Sequence, residues 1–212
     1  MKVAAAQISF TPGDLAENLR KISLFSGKAR ETGAELIVFP EMCDTGYSMA
    51  KIGQHATSWT EGAVPYLRDL ARKLSVALVC GVSERDGETI YNSQVVLDRT
   101  GQIIAKYRKT HLFAAAPIAE HLCFSPGDRF TDFSIGSFRF GLSICYDLRF
   151  PEMYRTLATA HCVNAFVISS AWPFPRVEHF RTLAVARAIE NQCYVIAANQ
   201  VGNDEGTTFC GT

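Results

Sequence analysis

Three segments of the chain bring a reactive side chain to the end of a strand-like run or just beyond one. ELIVFPEM places Glu41 directly after Pro40, KYRKTHLF carries Lys109, and GLSICYDLRFPE delivers Cys145 to the last position of a strand-like stretch before turning polar. A carboxylate, an ammonium and a thiol that meet in space suit nucleophilic acyl transfer. A thiol is only slightly ionised at neutral pH and needs a base; a carboxylate can take its proton, and an ammonium can stabilise both the thiolate and the oxyanion that follows. Each residue also has a plainer reading. Glu41 can be a solvated loop acid, Lys109 shares a basic run with Lys106 and Arg108 of the kind that usually forms a solvated face, and Cys145 can be one more buried thiol.

For these groups to meet, strands must carry them to a common edge. Short, β-prone apolar runs recur at 3–8, 35–40, 76–82, 92–98, 138–145, 165–171 and 193–199, too short for helices and bounded by turn formers. Helical patterns lie between several of them. Asp14 with Glu17 predicts a capped helix over 15–32; Leu67, Leu70, Ala71 and Leu74 form an apolar stripe; Pro151 opens a third helix and Glu178 to Asn191 makes a fourth. Strands alternate with helices except across 76–98, where two strands follow each other as in a hairpin. The expected fold is layered α/β, a mixed sheet covered by helices. Reactive residues of such sheets gather at the carboxyl ends of strands, where Glu41 and Cys145 fall. No repeat, low-complexity tract or Pro/Gly/Ser linker divides residues 1–212, which read as a single domain.

Composition narrows the partners. With 48% hydrophobic residues, and 21 basic residues against 21 acidic ones, nothing draws the chain toward nucleic acid or an anionic membrane. The apolar run of MKVAAAQISF stops at Gln7, too short for a signal segment, and no later stretch approaches the ~18 apolar residues of a membrane span. The expected location is the cytoplasm. Seven cysteines, no two closer than 17 residues, exclude C-x-x-C metal and redox motifs. G-x-G-x-x-G is absent, and SGK at 26–28 lacks the upstream glycine of a phosphate loop. The expectation is an enzyme with no metal and no organic cofactor.

FPEM, YRKTHLF, GLSICYDLRFPE and ARAIENQCYVIAANQVG together resemble the carbon-nitrogen hydrolase (nitrilase) superfamily, whose signature is a Glu, a Lys and a Cys in this order. The resemblance runs from the first residues to Gly211. It implies Glu41 as general base, Lys109 as catalytic lysine and Cys145 as nucleophile. Glu120, six residues before Pro126, matches the family's second glutamate, which helps hold the lysine and the pocket. The implied fold is a four-layer α-β-β-α sandwich, and the implied reaction is hydrolysis of a small amide by water through a thioester. The sharp turn after Cys145 exposes the Tyr146 backbone N–H as an oxyanion donor. Asp147 and Arg149 are expected to pair with one another or with the helix end.

SSAWPFPRVEHF resembles the branch that deamidates ω-amides of 2-oxo acids such as 2-oxoglutaramate. Trp172 would wall the pocket and Arg176 would meet a substrate carboxylate, although a Trp at a strand end is also ordinary core and an Arg after Pro ordinary surface. Asn199 and Gln200 are candidates for the rim by position. The helix opened by Pro151 and the helix 178–191 match those of the family's usual dimer, and Tyr154, Leu157, Phe180 and Leu183 are expected to offer apolar surface to a second copy, giving a homodimer or higher oligomer. Family members commonly continue beyond the Phe209-Cys210-Gly211 segment, so the C-terminal part is expected to be shortened, with Phe209 starting a strand of the second sheet. Two alternatives remain: a catalytically weak or inactive truncated member acting as an interaction subunit, and a cysteine acyltransferase or peptidase with His111 or His179 as base.

Overall fold

The computed structural model describes residues 1–116, 118–204 and 206–211. Strands β1 (Val3–Ala5), β2 (Leu36–Val38), β3 (Ala77–Asp86), β4 (Thr89–Leu97) and β5 (Ile103–Arg108) form one sheet in that order, parallel from β1 to β3 and antiparallel from β3 to β5. Strands β6 (Asp132–Ile135), β7 (Phe138–Ile144), β8 (Ala165–Ser170) and β9 (Tyr194–Asn199) form a second, with β6 antiparallel to β7 and the rest parallel.

Alternation along the strands decides the layers, because successive side chains point to opposite faces. Ile37, Leu78, Cys80 and Val95 pack with Ile22 of α1 (Leu15–Glu31) and with Leu67, Leu70 and Ala71 of α3 (Ala63–Leu74), the short α2 (Met49–His55) lying between those helices in the chain. Their neighbours Leu36, Val38, Val79 and Val96 instead share a cluster with Phe140, Leu142 and Val167 of the second sheet. That cluster continues to Met153, Tyr154 and Leu157 of α4 (Pro151–Thr159) and Phe180 of α5 (Val177–Asn191). Helices, sheet, sheet and helices therefore stack as four layers, with two sheets where periodicity alone suggested one. A polar strut crosses between them: Gln94 Nε2 donates to Ser169 Oγ at 2.9 Å, and Ser169 Oγ donates to the Phe39 carbonyl at 2.7 Å.

Local chemistry follows the sequence at several ends. Asp14 Oδ1 accepts from the Glu17 N–H at 3.0 Å and caps α1, and Pro151 opens α4. Tyr154, Leu157 and Phe180 are buried in the chain's own core with Leu183 packed against it, so they offer no surface to a second copy. The exposed apolar residues of this region are Val185, Ile189 and Tyr194. Strand β11 (Thr207–Cys210) does not join the second sheet either; it pairs with β10 (Val201–Asp204) as a separate two-stranded hairpin. Hydrogen bonds turn the chain there, from Asn199 Nδ2 to the Gly211 carbonyl at 2.6 Å and from Gln200 Nε2 to Asp204 Oδ2 at 2.6 Å. No helix among the described residues is long and apolar enough to cross a membrane.

Candidate active site

Strand β7 ends at Ile144, and Cys145 then takes φ 44°, a left-handed conformation uncommon for a residue with a side chain. Such a bend persists only where its surroundings hold it. Asp147 does so. Its buried carboxylate accepts the Ile144 N–H at 2.9 Å, the Tyr107 hydroxyl at 2.7 Å and the His111 N–H at 3.1 Å, with His111 Nδ1 at 2.8 Å. The expected pairing of Asp147 with Arg149 is therefore replaced by a clamp on the bend. The same contacts answer for the histidines: His111 turns Nδ1 to Asp147 and stacks on Phe150, while His179 meets Arg149. Neither is bonded to the sulfur.

Glu41 leaves β2 on a loop laid against β3, where the Cys43 N–H donates to the Gly81 carbonyl at 2.7 Å. A Cβ at Gly81 would stand 2.6 Å from Glu41 Cα, so glycine is what lets the backbones approach. Glu41 Oε1 accepts from Lys109 Nζ at 2.9 Å and Asn92 Nδ2 at 2.6 Å, and Oε2 accepts the Ala171 N–H at 2.9 Å. Lys109 follows β5, its own N–H bonded to the Asn92 carbonyl at 2.8 Å. Its ammonium also reaches Glu120 Oε1 at 2.8 Å and Oε2 at 2.9 Å. Glu120 in turn accepts the Tyr47 hydroxyl at 2.7 Å, Asn92 Nδ2 at 3.1 Å and the Phe113 N–H at 2.7 Å.

Glu41, Lys109 and Glu120 are all at 0% exposure, and a buried charge survives only when paired. Burial works against the Lys109 charge, but Glu120 and Glu41 outweigh it and hold the group firmly protonated. Burial raises Glu41 above the ordinary carboxylate range, with Lys109 pulling the other way. Burial, and then the Glu41 charge, raise Cys145 well above a free thiol, against the pull of Lys109 and the Ser170 hydroxyl. The sulfur thus rests as a thiol beside a carboxylate whose proton affinity is enhanced, an arrangement able to pass the proton at the moment of attack.

Cys145 and Tyr146 line a narrow cleft with about 30 Å³ of free volume. Trp172 lines it. Its N–H donates to Asn199 Oδ1 at 2.7 Å, and its indole N–H to the Arg176 carbonyl at 2.8 Å. Arg176 also lines the cleft, and so does Arg149, whose guanidinium lies 4.8 Å from the Trp172 ring centroid and 5.8 Å from that of Tyr146. Among the described residues neither arginine forms an ion pair with a carboxylate. Asn199 and Gln200 do not line the cleft; they hold the turn after β9. Sequence reasoning missed Tyr47, Asn92 and Arg149. The legible signal was YNSQ, three polar residues in the core of β4, all buried.

The sequence profile of the carbon-nitrogen hydrolases matches residues 2–212. The chain belongs to that family. This carbon-nitrogen hydrolase is 37% identical over 210 residues to the 2-oxoglutaramate amidase of Bacillus subtilis (strain 168), covering 99% of the chain and 80% of that protein. It is 37% identical over 217 residues to a nitrilase of Pyrococcus abyssi, covering 100% and 79%. Among solved structures it superposes with a TM-score of 0.91, at 30% identity and 99% and 82% coverage, on a variant of the amidase from Nesterenkonia sp. AN1 that carries the product of Michael addition of acrylamide at its active-site cysteine.

Proposed function

We propose that this carbon-nitrogen hydrolase is an amidase that cleaves a small carboxyl amide to acid and ammonia through a thioester on Cys145. The observation that carries the reading is the buried Glu41, Lys109 and Glu120 set acting on a thiol at a left-handed bend. Glu41 takes the proton as Sγ bonds to the amide carbon; Lys109 and the Tyr146 N–H hold the oxyanion. Glu41 returns that proton to the nitrogen, and the carbon–nitrogen bond breaks to release ammonia. Water then attacks the thioester with Glu41 again as base, and the departing sulfur recovers its proton from Glu41. Glu120, Asn92 and Tyr47 keep the ammonium in place. The cycle consumes the amide and water alone.

The favoured substrate carries a carboxylate beyond the amide, as an ω-amide of a 2-oxo acid such as 2-oxoglutaramate does. Two arginines that lack an acidic partner among the described residues support this, since guanidinium groups recognise carboxylates by paired hydrogen bonds, as does the kinship with 2-oxoglutaramate amidase. An inactive interaction subunit would have no use for three buried charges. Ammonia release from amides, nitriles and carbamoyl compounds, with and without Cys145, is the deciding experiment. Exposed Val185, Ile189 and Tyr194 on and after α5 support a homodimer. The free thiols, one of them exposed at Cys162, suit the cytoplasm.

A further inference from the structure

Ser169 and Ser170 end β8, and their side chains leave the strand on opposite faces. Ser169 faces the first sheet, where Gln94 and the Phe39 carbonyl satisfy its hydroxyl. Ser170 is different. It is fully buried, and its Oγ has no hydrogen-bond partner among the described residues. Native proteins seldom leave a buried hydroxyl in that state without a reason. The strand register shows what lies beside it. Strands β7 and β8 run parallel with Ile144 opposite Ser169, so the next residues, Cys145 and Ser170, are neighbours at the two strand ends.

We infer that the Ser170 hydroxyl is a second donor to the Cys145 sulfur, holding it in the ionised form that attacks the amide. The inference rests on Cys145 being the nucleophile. When the Sγ proton passes to the Glu41 carboxylate, a full charge appears on sulfur. Lys109 answers only part of it, because its ammonium is already divided between Glu41 and Glu120. A hydroxyl left without a partner at rest can turn and donate to the thiolate as it forms, with its own proton staying on oxygen throughout. Once the sulfur–carbon bond forms, sulfur is a poor acceptor and the interaction weakens. Ser170 therefore favours the thiolate over both the thiol and the thioester, which speeds acylation and leaves substrate affinity unchanged. The other titratable and charged groups facing the sulfur are Glu41, Lys109, Glu120, Tyr47 and Tyr154, with Arg149 across the cleft, and substitution at 170 replaces none of them.

The test follows iodoacetamide labelling of the Cys145 peptide by mass spectrometry as a function of pH, in the wild-type protein, Ser170→Ala and Ser170→Thr, alongside kcat and KM on a turned-over amide. In Ser170→Ala, labelling at neutral pH should slow about tenfold and its profile should move up by about one pH unit, the size of one hydrogen bond to a charge. The acylation rate should fall with it while KM holds, and Ser170→Thr, which keeps the hydroxyl, should stay near wild type. A Ser170→Ala profile superimposed on that of the wild type overturns the inference, as does an equal shift in both variants, which would assign the effect to packing. Wild-type protein in which inactivation proceeds without Cys145 labelling overturns the nucleophile reading itself, and the inference with it.

Discussion

The backbone N–H of Ala171, just past the end of β8, donates to Glu41 Oε2 at 2.9 Å, so the carboxylate that hangs from the first sheet is gripped by the second. A glutamine at 41 would turn one of its oxygens into an NH2 facing either that N–H or the Lys109 and Asn92 donors. In Glu41→Gln, kcat should fall by ~10²–10⁴, and a loss of less than about tenfold would make Glu41 structural. The wild-type pH profile carries the same information. The base must be unprotonated, and burial raises its pKa, so kcat/KM should decline as pH falls through a value above the ordinary glutamate range. An acid limb at or below that range would contradict the assignment.

Cys145→Ala should leave no turnover with the fold intact. Cys162 is an exposed free thiol and should alkylate readily, whereas Cys145 is buried and its thiol holds its proton. Loss of activity under iodoacetamide should therefore track the Cys145 peptide and ignore Cys162. Inactivation that follows Cys162 would count against the thioester.

Removing Lys109 strands Glu41 and Glu120 as two buried carboxylates without a counter-charge. Lys109→Met should lose about 3–5 kcal/mol of stability at neutral pH, read from urea unfolding. The deficit should shrink in mild acid. Burial already holds the Glu41 pKa above the ordinary range, and a carboxylate raised in the folded state contributes most at low pH and loses that contribution as pH rises through the raised value. A deficit independent of pH would place the cost in packing instead.

Arg149→Gln and Arg176→Gln should separate charged from neutral substrates. For an amide with a distal carboxylate, KM should rise about tenfold or more, the worth of a charge-assisted hydrogen bond, while neutral amides keep theirs. Equal losses on both substrate types would show that the arginines shape the cleft without reading charge.

On α5, Val185 and Ile189 lie one turn apart and are 56% and 72% exposed, with Tyr194 beyond them at 69%. Light scattering at micromolar concentration should show a dimer, and Val185→Asp with Ile189→Asp should reduce it to monomer. A wild-type monomer would remove the assembly.

What the sequence made legible was what lies at strand ends. Glu41 and Cys145 each close an apolar run, Lys109 follows a basic one, and the charges of Glu41 and Lys109 now act on the buried Cys145 thiol. Tyr47, Asn92 and Arg149 escaped because their roles come from partners far along the chain: Tyr47 meets Glu120 across 73 positions, and Asn92 meets Glu41 across 51. Asp147 escaped for the same reason, its partner Tyr107 lying 40 positions back. Strands β5 and β6 went unread because each sits at a sheet edge. Half-exposed, β5 tolerates the charges of Lys106 and Arg108, which blur its pattern, and β6 is only 4 residues long. The mistaken apolar surface on α4 and α5 has a related cause. Spacing shows that a helix has more apolar residues than one face needs, but not which of them its own sheet will take.

The strut from Gln94 through Ser169 to the Phe39 carbonyl fixes more than the spacing of two layers. Glu41 and Lys109 follow strands of one sheet, and Cys145 and Ala171 follow strands of the other, so the proposed chemistry is divided between the two. The packed seam between them therefore sets the register of that chemistry as well as the thickness of the core. On the proposed mechanism, slippage of one sheet past the other would part base from nucleophile while every strand stayed paired.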